Sequence, residues 1–240
     1  MLYGYAMLQI VKQLFGNTLA ASDGGHIGHI KDVYFDDAAW AVRYLVVDTG
    51  SWIPGRLVLI SPHAFGSVIE GGKALSVNLT KEQIENSPSI ESHKPVSRQY
   101  EEEYYRYYGW PSYWNGGGLW GMSAFPGALW DAGALAVVPP PEPFTPEPST
   151  QTEDAHLRSA KSVLNYALEA SDGLAGHVTD FAMDDKSWVI RQIAGETGHL
   201  FAGKKFLVAT GEVERISYEE FKIVVRLTQE QIQQSPADSL

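Results

Sequence analysis

The stretch ASDGGHIGHIKDVYFDDAAWAVRYLVVDTG, residues 21–50, decides the fold because it returns later in the chain. Residues 170–198 read ASDGLAGHVTDFAMDDKSWVIRQIAGETG, the same pattern with one residue fewer near its start. Self-similarity over a window of this length indicates two copies of one structural module. The register continues further on, since LTKEQIENSP from Leu79 matches LTQEQIQQSP from Leu227.

Identical residues at matched positions mark places where both modules use the same side chain. The pairs that we take as structural repeat positions are Gly28 and Gly176, His29 and His177, Asp32 and Asp180, Trp40 and Trp188, and Arg43 and Arg191. The copies differ most where Val47-Asp48-Thr49 is replaced by Gly195-Glu196-Thr197. A surface that the first module presents there need not be shared by the second.

Each copy predicts a β-hairpin followed by shorter strands. Residues 29–35 and 42–48 are rich in branched and aromatic side chains, and Asp36-Asp37 between them is typical of a turn. Asp184-Asp185 repeats that turn in the second copy. The shorter apolar runs that predict further strands are Leu57 to Ile60, Leu75 to Leu79, Phe206 to Val208 and Ile223 to Leu227.

A short helix is predicted at the end of each module. Thr80 with Gln83 forms a capping-box pattern, and Thr228 with Gln231 repeats it. The helices must be short because Pro88 and Pro236 follow. The fold class is therefore mainly β: two small β-barrels, each with a short C-terminal helix.

Composition excludes several classes of function. The chain has 240 residues with 18 Lys+Arg against 29 Asp+Glu, a formal net charge of -11, so we expect no nucleic-acid partner. Cysteine is absent, which rules out disulfides, thiolate catalysis and cysteine-bound zinc. A P-loop, a dinucleotide fingerprint and a nucleophile elbow are also missing. We therefore expect no cofactor and no enzymatic activity.

Residues 92–156, between the modules, differ in composition from both. Acidic residues outnumber basic ones, and the segment ends in the spacer PPPEPFTPEPST. Two alternatives stay open for its aromatic half: it packs onto the barrels, or it forms a docking surface for a partner or membrane interface. The aromatic candidates for interaction are Tyr104, Tyr105, Tyr107, Tyr108, Trp110, Trp114, Trp120 and Trp130.

Membrane insertion is not expected. The apolar run from Leu119 to Val138 is long enough to cross a bilayer. Pro126 and Asp131 lie within it, and a charge near mid-span costs about 2.5–3.5 kcal/mol. The apolar N-terminal run lacks the preceding basic residues of a secretion signal.

These residues resemble the PRC-barrel family. The resemblance rests on the stretch 21–50, the run GRLVLISP from Gly55, and LTKEQIENSP. It covers about residues 8–91 and 157–240 and is greatest to stand-alone bacterial proteins with two such modules. Those proteins also carry the phrases KPVSRQYEEEYYRYYGWPSYW and HLRSAKSVLNY, found here at Lys94 and His156.

The resemblance implies a β-barrel that serves interaction or assembly, without established catalytic residues. The family takes its name from the cytoplasmic domain of the photosynthetic reaction centre H subunit and includes the C-terminal domain of the ribosome maturation factor RimM. An H-subunit-like role would associate the chain with a membrane electron-transfer complex. We expect neither the membrane helix of the H subunit nor the N-terminal domain of RimM before the first module.

His26, His29 and Asp32 are weak candidates for a metal site. On a helix their spacing of three would gather ligands on one face, but on a strand it places them on opposite faces. The second copy keeps only His177 of the histidine pair. We therefore predict no metal and a structural role for His29 and His177 near the start of a strand.

The paired acids, tryptophans and arginines have structural interpretations too. Asp36-Asp37 and Asp184-Asp185 are expected to be solvated turn residues that are not catalytic. Trp40 and Trp188 are expected to anchor the barrels. Arg43 and Arg191 would then be exposed, paired with an acid such as Asp32, or stacked on a tryptophan.

The sequence thus predicts residues 1–91 as module 1, residues 92–156 as an aromatic- and Pro-rich linker, and residues 157–240 as module 2. The main hypothesis is a non-enzymatic interaction or assembly protein, bacterial and cytoplasmic, with an unidentified protein partner. The barrels would pack together or pair in a homodimer. Alternatives are association with a membrane electron-transfer complex and small-molecule binding in a cleft between the barrels.

Overall fold

Two β-sheets with matching strand order form the frame. We describe a computed structural model, which covers residues 7–65, 74–88, 90, 96–127, 157–198 and 203–235. The first sheet contains β2 Thr18–Ala20, β3 His26–Asp36, β4 Ala41–Asp48, β5 Leu57–Ile60, β6 Ala74–Ser76 and β7 Leu157–Ser159. The second contains β1 Leu8–Ile10, β8 Ala167–Ala170, β9 Gly173–Asp184, β10 Ile190–Glu196, β11 Lys205–Ala209, β12 Val213–Ser217 and β13 Lys222–Val225.

The strand order is β5-β4-β3-β2-β6 in the first sheet and β11-β10-β9-β8-β13-β12 in the second. The expectation of a mainly β fold in two halves is confirmed. Within the described residues, however, each sheet is an open path with two edges and not a closed barrel. β5 and β11 are therefore edge strands, whose outward N–H and C=O groups need partners or solvent.

Short helices complete the fold. They are α1 Lys81–Glu85, α2 Arg98–Tyr108, α3 Ala160–Val163 and α4 Gln229–Gln233, with 3-10 turns at Val11–Leu14, Pro62–Ala64 and Thr210–Glu212. Both predicted capping boxes are present, at Thr80 and Thr228. None of the helices in the described ranges is long and apolar enough to cross a membrane.

The predicted hairpins are confirmed as β3–β4 and β9–β10. The run from Leu75 to Leu79 is a shorter strand than predicted, since β6 ends at Ser76. The Val77 N–H still donates to the Ala20 carbonyl at 2.9 Å, after which the chain turns away towards α1.

The two modules exchange their first strands. β1 comes from the N-terminal part of module 1 but pairs antiparallel with β9 of module 2. In return, β7 opens module 2 but pairs antiparallel with β3 of module 1. The sheets therefore do not follow the sequence boundaries 1–91 and 157–240.

Asp32 and Asp180 secure this exchange. The Lys161 N–H donates to Oδ1 of Asp32 at 3.1 Å, and the Lys12 N–H donates to Oδ1 of Asp180 at 3.0 Å. Each carboxylate thus holds the first turn that follows the exchanged strand. Burial raises the pKa of both carboxyl groups. These hydrogen bonds oppose the shift because they stabilise the charged form.

A second reciprocal contact lies at the turns after β3 and β9. The Val42 N–H donates to the Trp188 carbonyl at 2.8 Å, and the Ile190 N–H donates to the Trp40 carbonyl at 2.7 Å. Trp40 and Trp188 both have left-handed backbone angles, with φ of 54° and 59°. The matched bonds relate the modules by an approximate two-fold axis between these turns.

The two modules differ strongly at Val47 and Gly195, and a change in the residue on the neighbouring strand compensates for the difference in size. In module 1 the cross-strand neighbours are Val47 and Val58, whereas in module 2 they are Gly195 and Phe206. A Cβ on Gly195 would lie 2.3 Å from Cε2 of Phe206. The Phe206 ring therefore fills the space that a side chain at position 195 would need.

We predict strong coupling between these two positions. Gly195→Val should overpack the site and destabilise the protein by about 1–3 kcal/mol, and Phe206→Val should leave a cavity of similar cost. The double variant restores the valine pair of module 1, so its loss should be smaller than the sum of the two. Urea denaturation of the four proteins tests this; additive losses would contradict it.

Candidate functional site

The three weak candidates for a metal site, His26, His29 and Asp32, have different surroundings. His26 and His29 lie on the same exposed side of β3, with ring centroids 5.2 Å apart. The expectation of opposite faces is wrong because the β2–β3 register shifts between Gly28 and His26. Asp32 instead bonds Ser159 and Lys161 of module 2. Among the described residues, no three metal-ligating side chains are grouped for a metal ion.

Gly28 and Gly176, which lie near the start of β3 and β9, pack closely against the next strand. A Cβ on Gly28 would lie 2.1 Å from the Asp48 carbonyl oxygen, and one on Gly176 would lie 2.2 Å from that of Glu196. His29 and His177 follow them and stand opposite Asp48 and Glu196 in the ladders.

The turn acids are not simply solvated, which corrects that expectation. Asp36 is 9% exposed, and its Oδ1 accepts the N–H groups of Ala38 and Ala39 at 2.9 and 3.0 Å. Asp37 bonds Arg158 Nε and the Tyr218 hydroxyl, both at 2.8 Å, from module 2. Asp184 repeats the first arrangement with Lys186 and Ser187.

Most of the aromatic candidates are buried, so they are not available as a docking surface. Tyr104, Tyr105, Tyr107, Tyr108, Trp110 and Trp120 are all 8% exposed or less, and Trp114 is half-buried. Trp130 lies outside the described residues. Residues 96–127, which we call the aromatic segment, pack onto module 1 because burying these rings is strongly favourable.

Local sequence explains why the aromatic segment begins with a helix. Ser97 caps α2 by accepting the Tyr100 N–H, and Gly109 ends the helix with a left-handed φ of 67°. Tyrosines spaced three and four residues apart then face the sheet together. Tyr104 contacts Tyr44 of β4 edge-to-face, with ring centroids 5.4 Å apart.

A buried carboxylate joins α2 to β4. Glu101 is fully buried, and its Oε1 accepts the hydroxyls of Tyr44 and Tyr113 at 3.0 and 2.8 Å. Arg98 Nη1 lies 3.2 Å from the other carboxylate oxygen. Burial raises the pKa of both tyrosines, so both remain neutral hydrogen-bond donors at pH 7.

Arg43 is enclosed by the aromatic segment. Its guanidinium lies 3.7 Å from the ring centre of Tyr113 and 4.8 Å from that of Trp120. It donates to the Leu119 carbonyl at 2.8 Å and pairs with Asp36 at 3.5 Å. The predicted cation stacking exists, therefore, but on rings of the segment, and the paired acid is Asp36 and not Asp32.

The segment also covers the edge of the first sheet. The Ser61 N–H donates to the Tyr104 hydroxyl at 3.2 Å, and that hydroxyl donates to the Leu59 carbonyl at 2.9 Å. Ile90, which precedes the segment, forms an isolated bridge with Leu57 on the same strand. These contacts satisfy backbone groups of β5 that an edge strand would otherwise leave open.

His63 lies in an aromatic box made by Tyr105, Trp110 and Trp120. Its Nδ1 donates to the Pro126 carbonyl at 2.8 Å. Burial lowers the pKa of His63 to about 4, although this hydrogen bond opposes the shift. The imidazole is therefore neutral at pH 7 and helps to hold the segment in place.

Module 2 has the same backbone but different side chains at the covered positions. Tyr44 corresponds to Gln192 and His63 to Gly211, while Arg191, the counterpart of Arg43, has a side chain that is 54% exposed. We call residues 191, 192, 194, 196, 205 and 207 the module-2 face. None of the described residues covers it as the aromatic segment covers module 1.

A cleft of about 470 Å³ lies on this face. Its lining includes Ala194, Glu196, Lys205 and Leu207, together with Ile10 and Lys12 beside the exchanged strand β1. In module 1 the larger Val46 occupies the position of Ala194. Smaller side chains and the lack of a covering segment therefore leave space here.

Sequence reasoning did not single out Tyr44, His63, Glu101 or Gln192. The signal that could have found three of them is the set of matched positions at which the two modules differ in chemistry. Glu101 has no matched position in module 2, so that comparison could not have shown its role.

Comparison with models of protein families gives a match within module 1. Residues 11–84 match the family model of the PRC-barrel domain. A search of curated proteins finds no match to the chain. Module 1 is thus a PRC-barrel domain, a kind of module generally associated with protein interaction.

We predict that Glu101 fixes the aromatic segment. Glu101→Ala should lower the free energy of unfolding by about 3–5 kcal/mol because it leaves buried donors without their acceptor. Limited proteolysis should then cut within residues 96–127. Glu102→Ala, on the exposed side of the same helix, should change stability by less than about 0.5 kcal/mol. Equal effects of the two variants would contradict this role.

A pH dependence follows from His63. The folded protein holds its pKa at about 4, below the ordinary 6.5, so the unfolded chain binds the proton more readily. The contribution of neutral His63 to the free energy of unfolding is fully present above pH 6.5 and is lost as the pH falls towards 4. The loss amounts to about 3 kcal/mol.

The measurement is the free energy of unfolding at several pH values between 4 and 7. His63→Gln, which keeps a donor for Pro126, should flatten the dependence. His26→Gln, at an exposed position, should keep the dependence of the unaltered chain. A His63→Gln profile with an unchanged slope would refute the assignment.

Proposed function

We propose that this protein is a non-enzymatic assembly protein whose module 2 binds a partner. The observation that carries the proposal is the unequal covering of two equivalent faces. In module 1 the chain's own aromatic segment covers the face, so the face of module 1 is already occupied. In module 2 the same strands present a cleft bordered by polar and charged side chains.

The groups around the network in module 1 support a structural role and not a reactive one. His63 is neutral and enclosed, and the tyrosines beside Glu101 have raised pKa values. General acid–base catalysis is most efficient with a group whose pKa lies near the working pH. These side chains are better suited to holding a segment than to transferring protons.

A small molecule in the cleft is the second candidate. Its volume of about 470 Å³ lies within the range of typical ligand pockets. The lining combines the apolar Ile10 and Leu207 with the charged Lys12, Glu196 and Lys205. Such a ligand would raise the melting temperature of the protein, and filling the cleft would abolish that shift.

Affinity capture with matched variants tests the main proposal. Tagged wild-type protein, Ala194→Trp and Arg215→Ala would be recovered from the cells of origin in mild detergent. Ala194→Trp fills the cleft, whereas Arg215 is an exposed arginine of β12, at the other edge of the sheet. We expect a stoichiometric partner that Ala194→Trp reduces by about tenfold or more and that Arg215→Ala retains.

A partner captured equally by Ala194→Trp, or no partner at all, would contradict binding by module 2. An integral membrane complex as the Ala194-dependent partner would support the proposal and place it at a membrane. Circular dichroism and thermal melting of each variant establish that it is folded before capture.

A further inference from the structure

The covered face of module 1 shows what chemistry such a face accepts, and this inference rests on the proposed function. Its occupant is an amphipathic helix with an aromatic side and an acidic residue. The helix supplies a carboxylate to Tyr44 and a hydroxyl to the edge of β5. Tyr113, in the segment that follows the helix, places its ring over Arg43.

Module 2 lacks these contacts at the matched positions. The amide oxygen of Gln192, at the position of Tyr44, is buried without a hydrogen-bond donor among the residues that the structure describes. A buried acceptor of this kind is destabilising unless a donor reaches it. Gln192 is therefore a position at which module 2 lacks the hydrogen bond that Tyr44 makes in module 1.

Arg191 is a second position at which module 2 lacks a contact that module 1 makes. It pairs with Asp184 at 3.8 Å, as Arg43 pairs with Asp36. No ring in the described part of the chain lies over its guanidinium, whereas Arg43 has two. An aromatic side chain placed over Arg191 would gain a cation–π contact and exclude water from the ion pair.

The charges on the module-2 face favour an acidic partner. Lys205 stands where module 1 has Leu57, and Lys12 and Arg191 also border the face. Of the two carboxylates that line the cleft, Asp180 is already bonded to the backbone N–H groups of Lys12 and Phe181. Among the described residues, no ion pair within 4 Å neutralises Lys12 or Lys205, so both can bind carboxylates of a partner.

We propose that the module-2 face binds an amphipathic helix of a partner protein that carries tyrosine or tryptophan together with glutamate or aspartate. An aromatic side chain enters the cleft beside Ala194 and Leu207. A donor from the helix bonds Gln192, and a second ring covers Arg191. The edge strand β11 lies beside this helix as β5 lies beside α2.

The chain itself supplies a probe of this chemistry. A fluorescent peptide of residues 96–115, VSRQYEEEYYRYYGWPSYWN, would be titrated with the full-length protein and its anisotropy measured. We expect saturable binding that weakens about tenfold or more in Ala194→Trp and about fivefold in Arg191→Ala. Arg215→Ala should bind within about twofold of wild type, and a peptide with Tyr104→Ala and Tyr105→Ala should bind much less.

A fused probe covers the case of weak binding in solution. Because SP at residues 87–88 and 235–236 follows matching helices, residues 89–127 can be appended after Pro236 in the same register. The appended segment should raise the melting temperature of the protein, and Ala194→Trp should remove that increase.

The proposal is overturned if neither probe binds, or if both bind Ala194→Trp as well as wild type, since the peptide would then be exchanging with α2 on module 1. That result leaves the capture experiment free to show a partner of other chemistry. Capture of no partner combined with peptide binding would instead refute the proposed function and keep the preference of the face for an aromatic, acidic helix.

Discussion

The exchange of strands between the modules is the constraint on which the rest of the structure depends. A three-residue strand is too short to be stable alone, so β1 and β7 form only because each adds to the sheet of the other module. Asp32 and Asp180 then bond the turns that follow. Because both exchanges use matched residues, neither module can complete its sheet without the other.

This exchange sets where the aromatic segment can lie. The turn of module 2 at Ser187 accepts the indole N–H of Trp120 at 2.9 Å, so the segment contacts both modules at their junction. Glu101 and Arg43 are both buried, and their charges are satisfied only when α2, Tyr113 and Leu119 are in place. The segment is consequently a part of the core of module 1 and not a flexible connection.

Local signals explain why much of the fold was predictable and why particular parts were not. The β3–β4 hairpin and the capping box at Thr80 depend on neighbouring residues, which the sequence displays directly. The strand exchange depends on contacts more than a hundred residues apart, and LQI and LRS have no distinctive pattern. The histidine pair was misassigned because a register shift, which sequence periodicity does not reveal, rotates part of β3.

The two modules keep some matched residues and change others, and the two groups lie in different parts of the fold. The carboxylates that bond across the exchange, Asp32 and Asp180, and the tryptophans of the central turns, Trp40 and Trp188, are identical in the two copies. A change in one copy would disturb both sheets. Residues of the outer face differ in size and charge, as Tyr44 and Gln192 do, although the backbone beneath them is the same. Since the shared frame is held by the exchange, the outer faces are free to diverge. The chain itself covers one face, while the other keeps a cleft of about 470 Å³.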